Sequence, residues 1–195
     1  MPQHFGTWDR VKLIPGYETP NSAPALCVVA VGESNAGGAA PNASAPAWEA
    51  ASRPELQILN ASTLLFENLD IGTNNNLSHS GLTSATHGWE LELANAAKRE
   101  EFDRDVFYVQ TGQGGSLVNE WITGGGGGDY FNTSFVPRMN AVKDIFGFRP
   151  VQYVVWLSLG INDAIAATDS YVFKGRVRTL IASIKEQMPG VKIRV

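Results

Sequence analysis

Two stretches of the chain carry almost no charged or strongly polar side chains: Ala25–Val31, reading ALCVVAV, and Val151–Leu159, reading VQYVVWLSL. A strand buried on one face alternates apolar and polar positions, whereas a strand buried on both faces reads as a nearly continuous apolar run, as in a parallel sheet. Leu56–Asn60, Asp105–Gln110 and Val191–Val195 supply three further strand candidates. Between the strands the apolar period lengthens to that of a helix. Phe135, Met139, Val142 and Phe146 recur at helical spacing, and Gly147 supplies a stop. Phe173, Val177, Leu180, Ile181, Ile184 and Met188 form a longer stripe that ends at Pro189-Gly190. Trp89–Glu101 reads as a third helix with a weaker apolar face. Strands alternating with helices predict βαβ units, and right-handed crossovers fold such units into an open parallel sheet. The expected fold class is therefore α/β, with strands in the order 2-1-3-4-5, Ala25–Val31 central and helices on both faces. Residues 1–24 hold four prolines and little periodicity, so they read as an extended arm ahead of one domain over residues 25–195.

Composition narrows the function classes. The length of 195 residues suits one domain, and 44% hydrophobic with 17% charged residues suits a globular core. A net charge of −4 without a basic block points away from nucleic acid. No apolar run is long enough to cross a membrane, and the start, MPQHFGTWDR, lacks the apolar centre of a signal peptide. The single cysteine, Cys27, excludes an internal disulfide and reads as a small buried hydrophobe within a strand.

In open α/β sheets, ligands bind beyond the carboxyl ends of the strands. Three strand candidates run directly into small polar loops there: Gly32-Glu33-Ser34-Asn35, Thr111-Gly112-Gln113-Gly114-Gly115-Ser116, and Gly160-Ile161-Asn162-Asp163. If the strands are parallel and adjacent, a hydroxyl, glycine backbone donors and a side-chain amide share one rim. Those are the parts of acyl transfer, a nucleophile with donors for the oxyanion that develops on the attacked carbonyl. Each part also has a plain reading: Ser34 as a helix cap, the glycines as a turn, Asn162-Asp163 as a cap or Asx-turn. Their recurrence at three strand ends favours the chemical reading. Other motifs drop out. The elbow G-x-S-x-G is absent because Ala36 occupies its last position, no phosphate-binding loop occurs, and GQGGSL lacks the third glycine of a dinucleotide fingerprint. His4, His79 and His87 have neither H-x-x-x-H spacing nor cysteine partners, so no metal is expected, and acyl transfer by a serine needs no cofactor.

The block GESNAGG resembles the first block of the SGNH (GDSL-like) hydrolases, in the G-[QE]-S-N form of the sialate O-acetylesterase-like carbohydrate esterases. TGQGGSLVNEW is similar to the glycine block of that branch, and SLGINDA to its G-x-N-D block, in family order from Ala25 to about Val195. The resemblance implies a flavodoxin-like three-layer α/β/α sandwich. It also implies Ser34 as nucleophile, and the backbone N–H groups of Ser34 and Gly114 with the Asn162 side chain as oxyanion donors. The implied reaction removes O-acetyl groups from an acetylated carbohydrate through an acetyl-enzyme. One departure is plain: the family's Asp-x-x-His block, which supplies the base after the last core strand, has no counterpart, because none of the three histidines lies in that context. The chain is read as a fragment ending before that block, with a degenerate domain, or His87 as a substitute base, as alternatives. Without the block it is expected to hydrolyse acetyl esters poorly. The rival function is a glycan-binding module without turnover; a flavin or nucleotide binder is the weaker third. The five consecutive glycines of WITGGGGGDY read either as a mobile lid, too flexible to pack, or as a surface insertion. Trp121 and Tyr130, which flank that tract, read either as a platform for a sugar ring or as packed aromatics.

Overall fold

A computed structural model of the protein describes residues 24–38, 40–46, 52–74, 86–99 and 104–195. The arm expected over residues 1–24 lies almost wholly outside the described residues, as do His4 and His79. In chain order the regular elements are β1 (Ala25–Gly32), α1 (Ser34–Gly37), β2 (Ala40–Pro41), β3 (Arg53–Leu59), β4 (Phe66–Leu69) and β5 (Thr86–His87). There follow α2 (Trp89–Arg99), β6 (Val106–Gln110), α3 (Val136–Phe146), β7 (Val151–Ser158), α4 (Ile161–Ile165), α5 (Ser170–Gln187) and β8 (Lys192–Arg194).

Six strands form one sheet in the order β4-β3-β6-β1-β7-β8, parallel throughout except for β4, which pairs antiparallel with β3. The continuous apolar run of β1 has its expected cause. All eight of its residues are buried, and it pairs along its whole length with β7, from Ala25 opposite Val151 to Gly32 opposite Ser158. Alternate β1 side chains serve opposite layers. Cys27, Val29 and Val31 pack with Phe135, Met139 and Val142 around α3 and with Leu180 and Ile184 of α5. Leu26, Val28 and Ala30 pack with Leu91, Ala94 and Ala97 of α2. The result is a three-layer α/β/α sandwich. Burying one such Val or Leu side chain is worth about 1.5–3 kcal/mol, which is why the two stripes dictate where the helices lie.

The strand order corrects the sequence expectation. Numbering only the five expected strands, the order is 2-3-1-4-5 and not 2-1-3-4-5: β6 lies between β3 and β1. Both β1 and β6 are buried at every residue, so their composition cannot say which of them neighbours β3. The antiparallel edge strand β4 was also not foreseen; only its two end residues are buried, too short a signal to register as a period of two.

Candidate active site

The end of β1 is fixed by a close backbone approach. Gly32 has φ +144°, and a side chain there would meet the Ser158 carbonyl oxygen at 2.0 Å, so only glycine fits. The chain then turns, and the Glu33 N–H donates to the Ser158 carbonyl at 3.0 Å. Glu33 takes the N-cap position of α1 without making a side-chain cap, and Ser34 is the first helical residue. Ser34 is thus not the capping residue of the plain reading. Its side chain is half-buried, and its hydroxyl makes no hydrogen bond among the described residues.

The loop after β6 is laced to this turn. The Thr111 N–H and hydroxyl both donate to the Ala30 carbonyl, at 3.0 and 2.7 Å, and the Gln113 N–H donates to the Gly32 carbonyl at 2.7 Å. The buried Gln110 amide donates to the Ala36 carbonyl at 2.7 Å and accepts from the Gly112 N–H at 2.9 Å. Gly112 lies so close to α1 that a side chain would meet the Gly37 nitrogen at 2.7 Å. Burial, and then the nearby Glu90 carboxylate, hold the Tyr108 phenol beneath Gln110 well above its usual pKa, so it stays a neutral partner to that amide. Gly114 faces open space: a side chain there would meet nothing within 4 Å, and its N–H makes no hydrogen bond among the described residues.

The loop after β7 meets the same place through Glu33. This carboxylate is buried and pairs with no Lys or Arg among the described residues. It accepts from the Ile161 N–H at 2.9 Å, from the Asn162 N–H at 3.0 Å, and from the Asn162 side-chain nitrogen. Three donors, two of them orphan N–H groups at the start of α4, offset the burial of the charge. The Asn162 nitrogen also donates to the Ser116 carbonyl at 3.3 Å. Both hydrogens of the amide are therefore held by Glu33 and Ser116 and not turned toward open space. The neighbouring Asp163 is buried and accepts from the Val118 N–H at 2.9 Å, which ties α4 to the glycine loop.

Ser34, Gly114 and Asn162 thus stand on three loops joined by direct hydrogen bonds at one rim of the sheet. Ser34 follows the residue that Asn162 grips, and Gly114 follows the residue bonded to Gly32. His87 belongs to the short β2–β5 ribbon, opposite Ala40, and its carbonyl lies against Gly38; its buried Nδ1 makes no hydrogen bond among the described residues. Among the described residues no three His, Cys, Asp or Glu side chains are grouped to hold a metal ion. No helix among them is long and apolar enough to cross a membrane.

Near the glycine tract, the structure takes the packed alternative for Trp121 and the surface alternative for the glycines. Trp121 is fully buried and donates its indole N–H to the Ser116 hydroxyl at 2.9 Å, which passes on to the Gln113 carbonyl at 2.9 Å, so it supports the loop from beneath and offers no face to a sugar. Tyr130 is half-buried, with its ring centroid 5.6 Å from that of Trp121. Gly124–Gly127 are exposed and Gly124 and Gly126 face open space, as a surface insertion does, whereas other glycines of the tract lie close to neighbours. A side chain at Gly125 would meet the Asn119 carbonyl at 2.0 Å and one at Gly128 the Tyr130 ring at 2.1 Å, while Asn119 donates to the Gly125 carbonyl at 3.1 Å. Sequence reasoning missed Glu33 and Gln110. The available signal was a lone acid and a lone amide, each at the carboxyl end of an otherwise apolar strand.

No protein-family model matches the chain, and no curated protein matches it. Solved structures do. A protein from Arabidopsis thaliana shares its fold with a TM-score of 0.67 at 17% identity, over 88% of this chain and 73% of that one. NanS shares it with a TM-score of 0.60 at 15% identity, over 87% of this chain and 63% of that one, so the chain spans less than two thirds of NanS. At these identities the likeness establishes the common α/β fold.

Proposed function

We propose that this domain is a serine esterase that removes O-acetyl groups from a carbohydrate. What supports the reading is that the segments carrying Ser34, Gly114 and Asn162 are hydrogen-bonded to one another at one rim, and that among the described residues neither the Ser34 hydroxyl nor the Gly114 N–H makes a hydrogen bond. The block resemblance to sialate O-acetylesterase-like enzymes and the likeness of fold to NanS point the same way. In the proposed reaction the Ser34 oxygen attacks the acetyl carbonyl and gives up its proton to a base. The carbonyl electron pair moves onto oxygen, and the N–H groups of Ser34 and Gly114 stabilise that oxyanion. The tetrahedral intermediate collapses, the sugar alcohol leaves with a proton, and water then releases acetate from the acetyl-enzyme. Asn162 joins the donors when its weaker contact, the one to Ser116, gives way. His87 is the imidazole available to test as base, since its ribbon adjoins the end of α1.

A second reading, an acetylated-glycan-binding module without turnover, is favoured by one observation: both hydrogens of the Asn162 amide are committed to Glu33 and Ser116. Hydrolysis of p-nitrophenyl acetate decides between them. The esterase reading expects turnover, in this chain with His87 as base or in one extended by an Asp-x-x-His segment, that falls by more than about 10³-fold in Ser34→Ala and by roughly 10²–10³-fold in Asn162→Ala. Loss of turnover in His87→Ala identifies the base. Equal rates for the unsubstituted protein and Ser34→Ala at both lengths defeat the esterase reading, and glycan binding without turnover at either length establishes the module.

A further inference from the structure

The residue after Ser34 is in contact with an aromatic side chain that the proposed chemistry leaves unused. Trp89, the first residue of α2, donates its indole N–H to the Asn35 carbonyl at 3.0 Å. Its ring rests on Trp156 of β7, with centroids 4.0 Å apart and planes at 44°. Its backbone is set by the crossing of Gly88 over Gly38, where a side chain on Gly88 would meet the Gly38 Cα at 2.5 Å. Despite these three restraints the side chain remains 39% exposed. A single exposed apolar residue needs no explanation by itself. An indole pinned at its edge, backed on a second indole and left open beside the proposed nucleophile is a preorganised apolar platform, which orders nothing further when a ligand lands.

We infer that the open face of Trp89 is a stacking subsite for the pyranose ring that carries the ester. The apolar C–H face of a sugar ring suits the flat, amphipathic indole, and aromatic side chains with a few fixed polar groups are the usual lining of small-ligand sites. This subsite deepens the esterase reading and rests on it for the identity of the ring as the alcohol part of the substrate. It also replaces Trp121, which is buried, as the aromatic that meets sugar.

The test uses the 195-residue chain with Ser34→Ala, so that turnover does not obscure binding. O-acetylated methyl glycosides of glucose, galactose and xylose are titrated by calorimetry and by saturation-transfer NMR. At least one is expected to bind, with saturation reaching its ring C–H protons and with movement of the Trp89 indole N–H resonance. Trp89→Leu, which keeps apolar bulk but loses the flat face, is expected to weaken binding about tenfold, and Trp89→Phe to retain most of it. Circular dichroism verifies that each variant is folded; should Trp89→Leu fail to fold, the indole resonance decides. Undiminished binding by folded Trp89→Leu, or an indole resonance that stays still at saturation, overturns the proposal. The esterase reading is scored separately, by covalent labelling of Ser34 with a fluorophosphonate in the unsubstituted chain. Binding through Trp89 without labelling refutes the esterase and leaves the subsite standing. Labelling without Trp89-dependent binding does the reverse.

Discussion

Replacing Glu33 by glutamine changes one atom and reverses one polarity. The carboxylate accepts three N–H groups, from the Ile161 and Asn162 backbones and the Asn162 side chain, and at 1% exposure no solvent substitutes for a lost partner. A glutamine offers one accepting oxygen and an NH₂ group. The less costly orientation keeps the oxygen toward Asn162 and sets the NH₂ against the Ile161 N–H, donor facing donor. One charge-assisted bond, worth about 1.5–3 kcal/mol, is then lost, and two others weaken to neutral strength. A cost of about 3 kcal/mol follows. For a chain of this length each kcal/mol lowers Tm by about 2–4 °C, so Glu33→Gln is expected to melt roughly 6–12 °C below the parent protein. Thermal unfolding followed by circular dichroism measures this directly. The Asn162 side-chain amide resonances should shift in the same variant, because their partner changes from carboxylate to amide. A melting temperature within about 1 °C of the parent protein would show that the carboxylate does not hold α4 in place, and the description of this rim as a Glu33-centred clamp would fall.

Three further outcomes are expected. Leu180→Ala removes a fully buried side chain between α5 and the sheet and should cost about 2–5 kcal/mol, read from a denaturant midpoint shifted without a change in slope. Gly112→Ala drives a methyl group to 2.7 Å from the Gly37 backbone nitrogen; it should destabilise by about 1–3 kcal/mol and slow fluorophosphonate labelling of Ser34 by displacing α1. The Tyr153 phenol is pushed up to about 12 from an ordinary value of 10.0, first by burial and then by the neighbouring Cys27. Between those two pH values the unfolded chain loses a proton that the folded chain keeps. Stability contributed by the neutral phenol is therefore fully present below about pH 10 and declines from there toward pH 12. Melting temperature against pH, with phenolate absorbance recorded in parallel, should show the decline begin near pH 10 and phenolate appear together with unfolding.

The fold was legible where burial writes itself into composition. ALCVVAV is apolar because β1 is buried on both faces, and the stripe from Met139 to Phe146 is apolar because one face of α3 meets the sheet; VQYVVWLSL reads the same way, yet only Val155 and Leu157 of β7 are buried and its other residues are half-buried. Strand order was not legible, since it depends on which of two equally buried strands takes which slot, and composition is blind to that. The rim loops were recognisable as chemistry because glycine, serine and asparagine clustered at strand ends. Their internal wiring was not. That Glu33 reaches across to α4, and that Trp121 lies beneath the glycine loop while Trp89 stays open, are consequences of tertiary placement between residues far apart in the chain.

The clamp between Glu33 and α4 joins residues 128 positions apart. During synthesis β1 leaves the ribosome ahead of its partners β6 and β7, as eight consecutive residues destined for burial. Contacts this distant in sequence slow folding, because the loop between them must be ordered before pairing repays it. Until then ALCVVAV is an unpaired, uncharged β-prone segment of the kind that self-associates. Yield in a cell-free or bacterial system is therefore expected to depend on translation rate and on chaperones that hold nascent chains, more than on the stability of the finished sheet.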